Sequence, residues 1–308
     1  MKHFINIKDI SPKLLRKILV DAKKRKAKRK NLQTLDVDKD QPLKGQLLIQ
    51  MFEKSSLRTR LSFYLAIRQL GGSALTLRPD ELHLSKGSES LSDTAKILSS
   101  YGNLFMLRTD DEKKMTNFKR NLSIPLINGL SPKSHPAQIL SDIFTIEEVT
   151  KKNISSLKIC WIGDSNNVLN SLIEASIKFS FNLKIGCPKK YNPSKEIFDF
   201  IKINKGKVKI YNNPKDAITN ADVVLTDKVI SMNDKVNIKK KMKDFARFKI
   251  NQRLMSFSKN AFFLHCLPRG NEVSDEIFFG RKSMVWKQAL NRVHVQKSIL
   301  LFCLNKLR

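Results

Sequence analysis

Short apolar runs recur along this chain with helical spacing between them, and that alternation limits the fold more than any other feature. Runs at 47–52, 73–77, 104–107 and 124–127 are too short for helices and too continuous for a sheet face that meets water. Amphipathic stretches near 57–70, 90–101 and 113–121 separate them, after a first helix with Leu14, Leu15, Ile18, Leu19 and Ala22 on its apolar side. Strand, helix and strand in succession build a parallel sheet with helices on its faces. A Pro-bearing turn at 131–136 opens another helix to about 150, and a second series of strands follows at 158–162, 183–187, 208–211, 222–226 and 262–267. The last segment, about 287–304, repeats Leu290, Val293, Val295, Ile299 and Leu300 at helical spacing and reads as a long closing helix. The expected class is α/β, with two domains that are each a parallel sheet flanked by helices.

Composition narrows the function. Length 308 suits two cores rather than one. Lys and Arg number 58 against 28 Asp and Glu, a net charge of +30, yet 41% of residues are hydrophobic, enough to exclude a disordered chain. The densest basic run, KKRKAKRK from Lys23 to Lys30, closes the first helix, where cations suit the negative end of the dipole, and it reads as a solvated helix end. The remaining lysines are dispersed. The four cysteines, Cys160, Cys187, Cys266 and Cys303, form no C-x-x-C pair and no ladder for a disulfide framework or structural zinc, so a reducing cytoplasm is expected. No stretch approaches the roughly 18 apolar residues of a membrane span.

The sharpest chemical signal is Phe52-Glu53-Lys54-Ser55-Ser56-Leu57-Arg58-Thr59-Arg60, between a buried strand and a helix that stops at Gly71-Gly72. A helix start offers N–H groups without intrahelical partners and the positive end of the dipole, so an anion gains from both. Ser56 and Thr59 add hydroxyls, and Arg58 and Arg60 add fork-shaped cationic donors, a set that suits phosphate better than a mere N-cap does. The second domain opens with Trp161-Ile162-Gly163-Asp164-Ser165-Asn166-Asn167, which lacks the other glycines of a dinucleotide loop and instead places amides at a strand end. Asp227 and His265-Cys266-Leu267-Pro268 also end strands, and Asn, Asp and Cys at three such ends favour a polar ligand with an amino group. His135, ahead of Pro136 and Gln138, reads equally as a helix cap or as a donor to a carbonyl.

These segments, with Ser231-Met232 and Asn291-Arg292, occur in the order found in the transcarbamoylases, and the chain resembles the aspartate/ornithine transcarbamoylase family over nearly its whole length. The H-C-L-P tetrapeptide with the Asp and the Ser-Met pair resembles the ornithine branch. The resemblance implies a transcarbamoylase-like fold. A carbamoyl-phosphate domain would occupy 1–134, with an interdomain helix at 135–149 and an ornithine domain at 150–286. A closing helix, about 287–308, would return to the first domain. It implies carbamoyl transfer from carbamoyl phosphate to the side-chain amine of L-ornithine, giving L-citrulline and phosphate in arginine biosynthesis or catabolism. It also implies a homotrimer with no metal or organic cofactor. By matching positions, Ser56, Leu57, Arg58, Thr59 and Arg108 would hold the phosphate, with His83 at a loop that reaches a neighbouring subunit. His135, Gln138 and Arg292 would surround the carbamoyl group. Asn167, Asp227, Ser231 and Met232 would hold ornithine's α-amino and carboxylate groups, and Cys266 and the Leu267 carbonyl would meet its side-chain amine. Arg58, His135, Cys266 and Arg292 are the expected catalytic set. The chain departs from the family at Leu57, which replaces a hydroxyl, and at Val229 and Leu290. Two alternatives remain: another amine such as N-acetylornithine or putrescine, or a basic nucleic-acid-binding protein on a degenerate enzyme fold. The second would show a steep salt dependence, and the sequence carries no recognised nucleic-acid motif.

Overall fold

The computed structural model describes residues 2–78, 89–230 and 237–307. It divides into two compact units, one running to Ser141 and resuming at Leu290, the other spanning Asp142–Ala289. In chain order the helices of the first are α1 (Pro12–Ala27), α2 (Leu57–Gln69), α3 (Leu91–Tyr101) and α4 (Glu112–Asn121). Its strands are β1 (Leu47–Phe52), β2 (Ser73–Leu77), β3 (Leu104–Arg108) and β4 (Leu126–Leu130). Helix α5 (Pro136–Thr150) leads into the second unit, which holds β5 (Lys158–Ile162), α6 (Asn167–Lys178), β6 (Asn182–Gly186), α7 (Lys195–Ile203) and β7 (Val208–Tyr211). It continues through α8 (Pro214–Ile218), β8 (Val223–Thr226), α9 (Ile238–Phe245), α10 (Gln252–Met255), β9 (Phe262–His265) and α11 (Asp275–Phe278), and α12 (Val285–Cys303) crosses back. No described helix is long and apolar enough to cross a membrane.

Both sheets are wholly parallel, in the orders β2-β1-β3-β4 and β7-β6-β5-β8-β9. In each, the strand order reverses direction once, between β1 and β3 and between β5 and β8. Connections leave such a pair toward opposite sides, so a crevice opens at their carboxyl ends. On one face of the first sheet Ile49, Met51, Phe105, Leu107 and Leu126 pack with Ala95 and Leu98 of α3 and Met115 and Phe118 of α4. The second sheet buries Cys160, Ile162, Val224 and Phe263 with Ala217, Phe245, Phe248 and Phe278. Helix α2 ends because Gly71 takes φ +89, a left-handed conformation that costs other residues strain, while the Gly72 N–H returns to the Ile67 carbonyl.

Strand β4 starts at Leu126 rather than at Ile124, where the apolar run begins. Pro125 has no N–H to give the ladder, though its carbonyl accepts from Phe105 N at 2.9 Å. Phe4 then pairs with Ile127 along the far side of β4. The basic run closing α1 is also less solvated than its composition suggests. Arg25 and Arg29 are buried, and both reach Asp38, at 3.1 and 2.8 Å. Arg25 also meets Asp21 and Asp40, at 3.2 and 2.9 Å. Lys297 of α12 lies fully buried 2.7 Å from Asp38, and Ser298 donates to Asp21 at 2.6 Å. Lys26 completes the attachment by donating to Asn291 at 2.7 Å.

Removing one partner of a buried network leaves the others uncompensated, at a cost of about 3–5 kcal/mol. Asp38→Ala, facing three cations, is expected to lower stability by that amount in urea unfolding followed by circular dichroism. Burial lowers the Lys297 ammonium from its ordinary 10.5 to about 8, with Asp38 opposing. The unfolded chain therefore binds more protons than the folded one between about pH 8 and 10.5, so this lysine's contribution to stability rises with pH through that window. Lys297→Met should flatten that rise, measured by unfolding at both ends of the window.

Candidate active site

The crevice of the first unit is built from the ends of β1 and β3, the start of α5 and one residue of α12. Ser56, the N-cap of α2, is extended at φ −155, and its hydroxyl makes no capping bond to the first-turn amides. The first turn therefore presents backbone donors and the positive dipole end without a side-chain cap. Arg58 is half-buried in this turn and Arg60 exposed. Across the sheet Arg108 pairs with Phe52, and its carbonyl accepts from Glu53 N at 3.0 Å. Arg292 is buried and donates to the Gln138 amide oxygen at 2.9 Å and to the Thr59 hydroxyl at 2.8 Å.

His135 sits among these cations. Burial and then the charges of Arg292, Arg108 and Arg58 push its imidazole well below 6.5, so the ring is neutral at neutral pH. Three guanidiniums facing one neutral donor repel one another, and a multiply charged anion relieves that repulsion while accepting bidentate hydrogen bonds. The neutral ring then donates to an uncharged oxygen without adding a fourth cation. The Leu57 side chain, 70% exposed, begins a stripe with Leu61 and Tyr64 on the outer face of α2, which leaves only its backbone N–H for the first turn.

The crevice of the second unit has a different character. Gly163 takes φ +152 after β5, and a Cβ there would come within 3.1 Å of the Thr226 hydroxyl, which itself donates to the Ile162 carbonyl at 2.5 Å. Asn166 caps α6 by accepting from Val168 and Leu169 N–H at 3.0 and 3.1 Å, and its amide donates to Asp227 at 3.0 Å. Asn167, next in line, is the first residue of α6. Burial raises the Asp227 carboxyl above its usual range, with hydrogen bonds from the Lys228 N–H and the Asn166 amide opposing. Strand β9 ends at His265, whose Nδ1 accepts from Leu267 N at 2.8 Å, which places the proton on Nε2 for the 2.9 Å bond to Glu272. Burial raises the Glu272 carboxyl, but the bonds from His265 and Gly270 outweigh it and hold the group low. Leu267 turns into the left-handed region at φ +57, and Cys266 beside it is buried. A carboxylate, an asparagine, a thiol and a sharply turned carbonyl at neighbouring strand ends suit an ammonium-bearing ligand.

Thr59, Gln138 and Arg292 thus meet directly, Arg58 and Arg108 join them around His135, and Asp227 faces the His265 ring. His83, Ser231 and Met232 lie outside the described residues. Sequence reasoning missed the supports. Glu272 carries no local motif, and Gln288, which accepts from His265 N at 3.0 Å and donates to Asp142 at 2.7 Å, becomes visible only when the fold joins positions 142, 265 and 288. Asn166 looked interchangeable with Asn167, although the N-cap preference for Asn before an apolar helix distinguishes it.

Both units match known protein families. The carbamoyl-P binding domain of aspartate/ornithine carbamoyltransferase matches residues 2–148, and the Asp/Orn binding domain of the same family matches residues 155–303. An ornithine carbamoyltransferase of Rhizorhabdus wittichii is 39% identical over 99% of this chain and 99% of its own length. One from Caulobacter vibrioides is 41% identical over 98% and 97%. The structure of ornithine carbamoyltransferase from Pyrococcus furiosus superposes with a TM-score of 0.91 at 33% identity, covering 100% of this chain and 98% of that one. With both domain matches in sequence order and full-length relatives near 40% identity, the chain belongs to the aspartate/ornithine carbamoyltransferase family.

Proposed function

We propose that this enzyme is an ornithine carbamoyltransferase: it transfers the carbamoyl group of carbamoyl phosphate to the side-chain amine of L-ornithine, releasing L-citrulline and phosphate. The observation that carries the reading is the convergence of Arg58, Arg108 and Arg292 on a neutral His135 in the unit matched as the carbamoyl-phosphate domain. The α2 first turn with Ser56, the Leu57 N–H, Arg58 and Thr59, together with Arg108, holds the phosphate. His135, Gln138 and Arg292 surround the carbamoyl oxygen. In the other unit Asn167 and Asp227, with Ser231 and Met232, hold ornithine's α-groups, while Cys266 and the Leu267 carbonyl receive its side-chain amine.

The amine is protonated in water, and desolvation beside a thiol and a carbonyl favours its neutral, attacking form. As the C–N bond forms, negative charge grows on the carbamoyl oxygen, where fixed cationic and imidazole donors stabilise it. The C–O bond to phosphate then breaks, and the departing phosphate takes the amine's proton. The chain needs to supply no separate base. Arg292 is already oriented for this by Gln138 and Thr59, which lowers the cost of ordering it when substrate binds.

We further propose a homotrimer acting in the cytoplasm, in arginine biosynthesis or catabolism. Exposed Leu57, Leu61 and Tyr64 on α2, Leu75 on the edge strand β2, and Ile97 and Tyr101 on α3 support self-association through the first unit. Free thiols at Cys160, Cys187, Cys266 and Cys303 support a reducing compartment.

The purified chain should make citrulline and phosphate in equal amounts from carbamoyl phosphate and L-ornithine. Turnover with N-acetylornithine, putrescine or L-aspartate in place of ornithine would reassign the amine. Arg58→Ala should lower kcat/KM for carbamoyl phosphate by about 10²–10³, the range for losing one charged transition-state donor. Cys266→Ala should raise the KM for ornithine several-fold and leave carbamoyl-phosphate binding unchanged. Loss of carbamoyl-phosphate binding in that variant would overturn the assignment of ligands to units.

A further inference from the structure

The two loops that flank the first crevice both carry cations toward it, Arg58 after β1 and Arg108 at the end of β3, and like charges drive such loops apart. A carboxylate joins them. Glu53, the first residue after β1, has a side chain only 12% exposed, and both of its oxygens are engaged from the β3 side. Oε2 accepts from the Thr109 hydroxyl, and Oε1 pairs with the Lys114 ammonium of α4. Thr109 is itself fixed, because its oxygen accepts from Asp111 N at 3.0 Å and its own N–H donates to the Leu130 carbonyl at 3.1 Å. Lys54 and Asp110 form a second, more exposed pair between the same loops at 2.9 Å.

Lys114 occupies an unfavourable place for a lysine. It lies in the first turn of α4, where the helix dipole disfavours a cation. Its contact with Glu53 accounts for it there. We propose that Lys114 is a positioning residue for carbamoyl-phosphate binding: through Glu53 it holds the β1–α2 loop against β3, so that Arg58 and Arg108 face the same phosphate. This rests on the carbamoyl-phosphate assignment and identifies a residue that sets the site's shape without touching the ligand. Without the ammonium, the largely buried Glu53 carboxylate loses its charged partner and the loop relaxes toward water.

Steady-state kinetics on the full chain test this with Lys114→Met, Lys114→Arg and Glu53→Gln. Lys114→Met is expected to raise the KM for carbamoyl phosphate about tenfold, the effect of about 1.4 kcal/mol, while the KM for ornithine at saturating carbamoyl phosphate stays at the wild-type value. Lys114→Arg should restore most of the affinity. Adding Lys114→Met to Glu53→Gln should produce little further loss, because the two act through one contact. A wild-type KM in Lys114→Met, a parallel rise in both KM values, or failure of Lys114→Arg to rescue would overturn the proposal. If the wild-type chain showed no turnover dependent on carbamoyl phosphate, the underlying assignment would fall, and the proposal with it.

Discussion

The reversal of strand order in each sheet is the constraint on which the rest depends. β1 and β3 send their connections to opposite sides, as do β5 and β8, so each pair leaves a crevice at its carboxyl ends. The polar and charged groups are distributed by that topology. The first crevice gathers backbone N–H groups and guanidiniums from α2, β3 and α12, and the second gathers an asparagine, a carboxylate, an imidazole and a thiol from the ends of β5, β8 and β9. Each crevice is also bridged by a polar contact across its own switch point, Glu53 to Thr109 in one and Asn166 to Asp227 in the other.

Arg292 reaches the first crevice from the far end of the sequence, and buried charge brings it there. Lys297 and Ser298 of α12 are bound to Asp38 and Asp21, and Asn291 to Lys26, on either side of the turn that presents Arg292 to Thr59 and Gln138. Burying a lysine is costly, as its lowered pKa records, so stability alone is a weak reason for Lys297. A buried ionic contact gives positional specificity that apolar packing against α1 would not, and the arginine one turn earlier depends on register.

Much of the fold was legible in the sequence because a parallel sheet writes short, doubly buried apolar runs. The β1–α2 loop was legible for a local reason, since hydroxyls and arginines cluster at one strand-to-helix turn. Position 124 shows where local reading stops: Ile124 extends an apolar run, but Pro125 denies it the ladder. The basic run on α1 shows the same limit, because Arg25 and Arg29 look solvated until the fold brings Asp38 and Lys297 to them. Glu272 and Lys114 were invisible for a related reason: each acts through a partner that only the fold brings close.

The central claim is that each substrate belongs to one unit. Amide hydrogen exchange read by mass spectrometry tests it directly, with carbamoyl phosphate or L-ornithine added separately and then together. Carbamoyl phosphate alone should slow exchange in the first turn of α2, at the end of β3 and around Arg292, with α6 and the segment after β9 unchanged. Ornithine added to that complex should slow exchange after β5, β8 and β9. Protection by carbamoyl phosphate confined to the second unit would contradict the account.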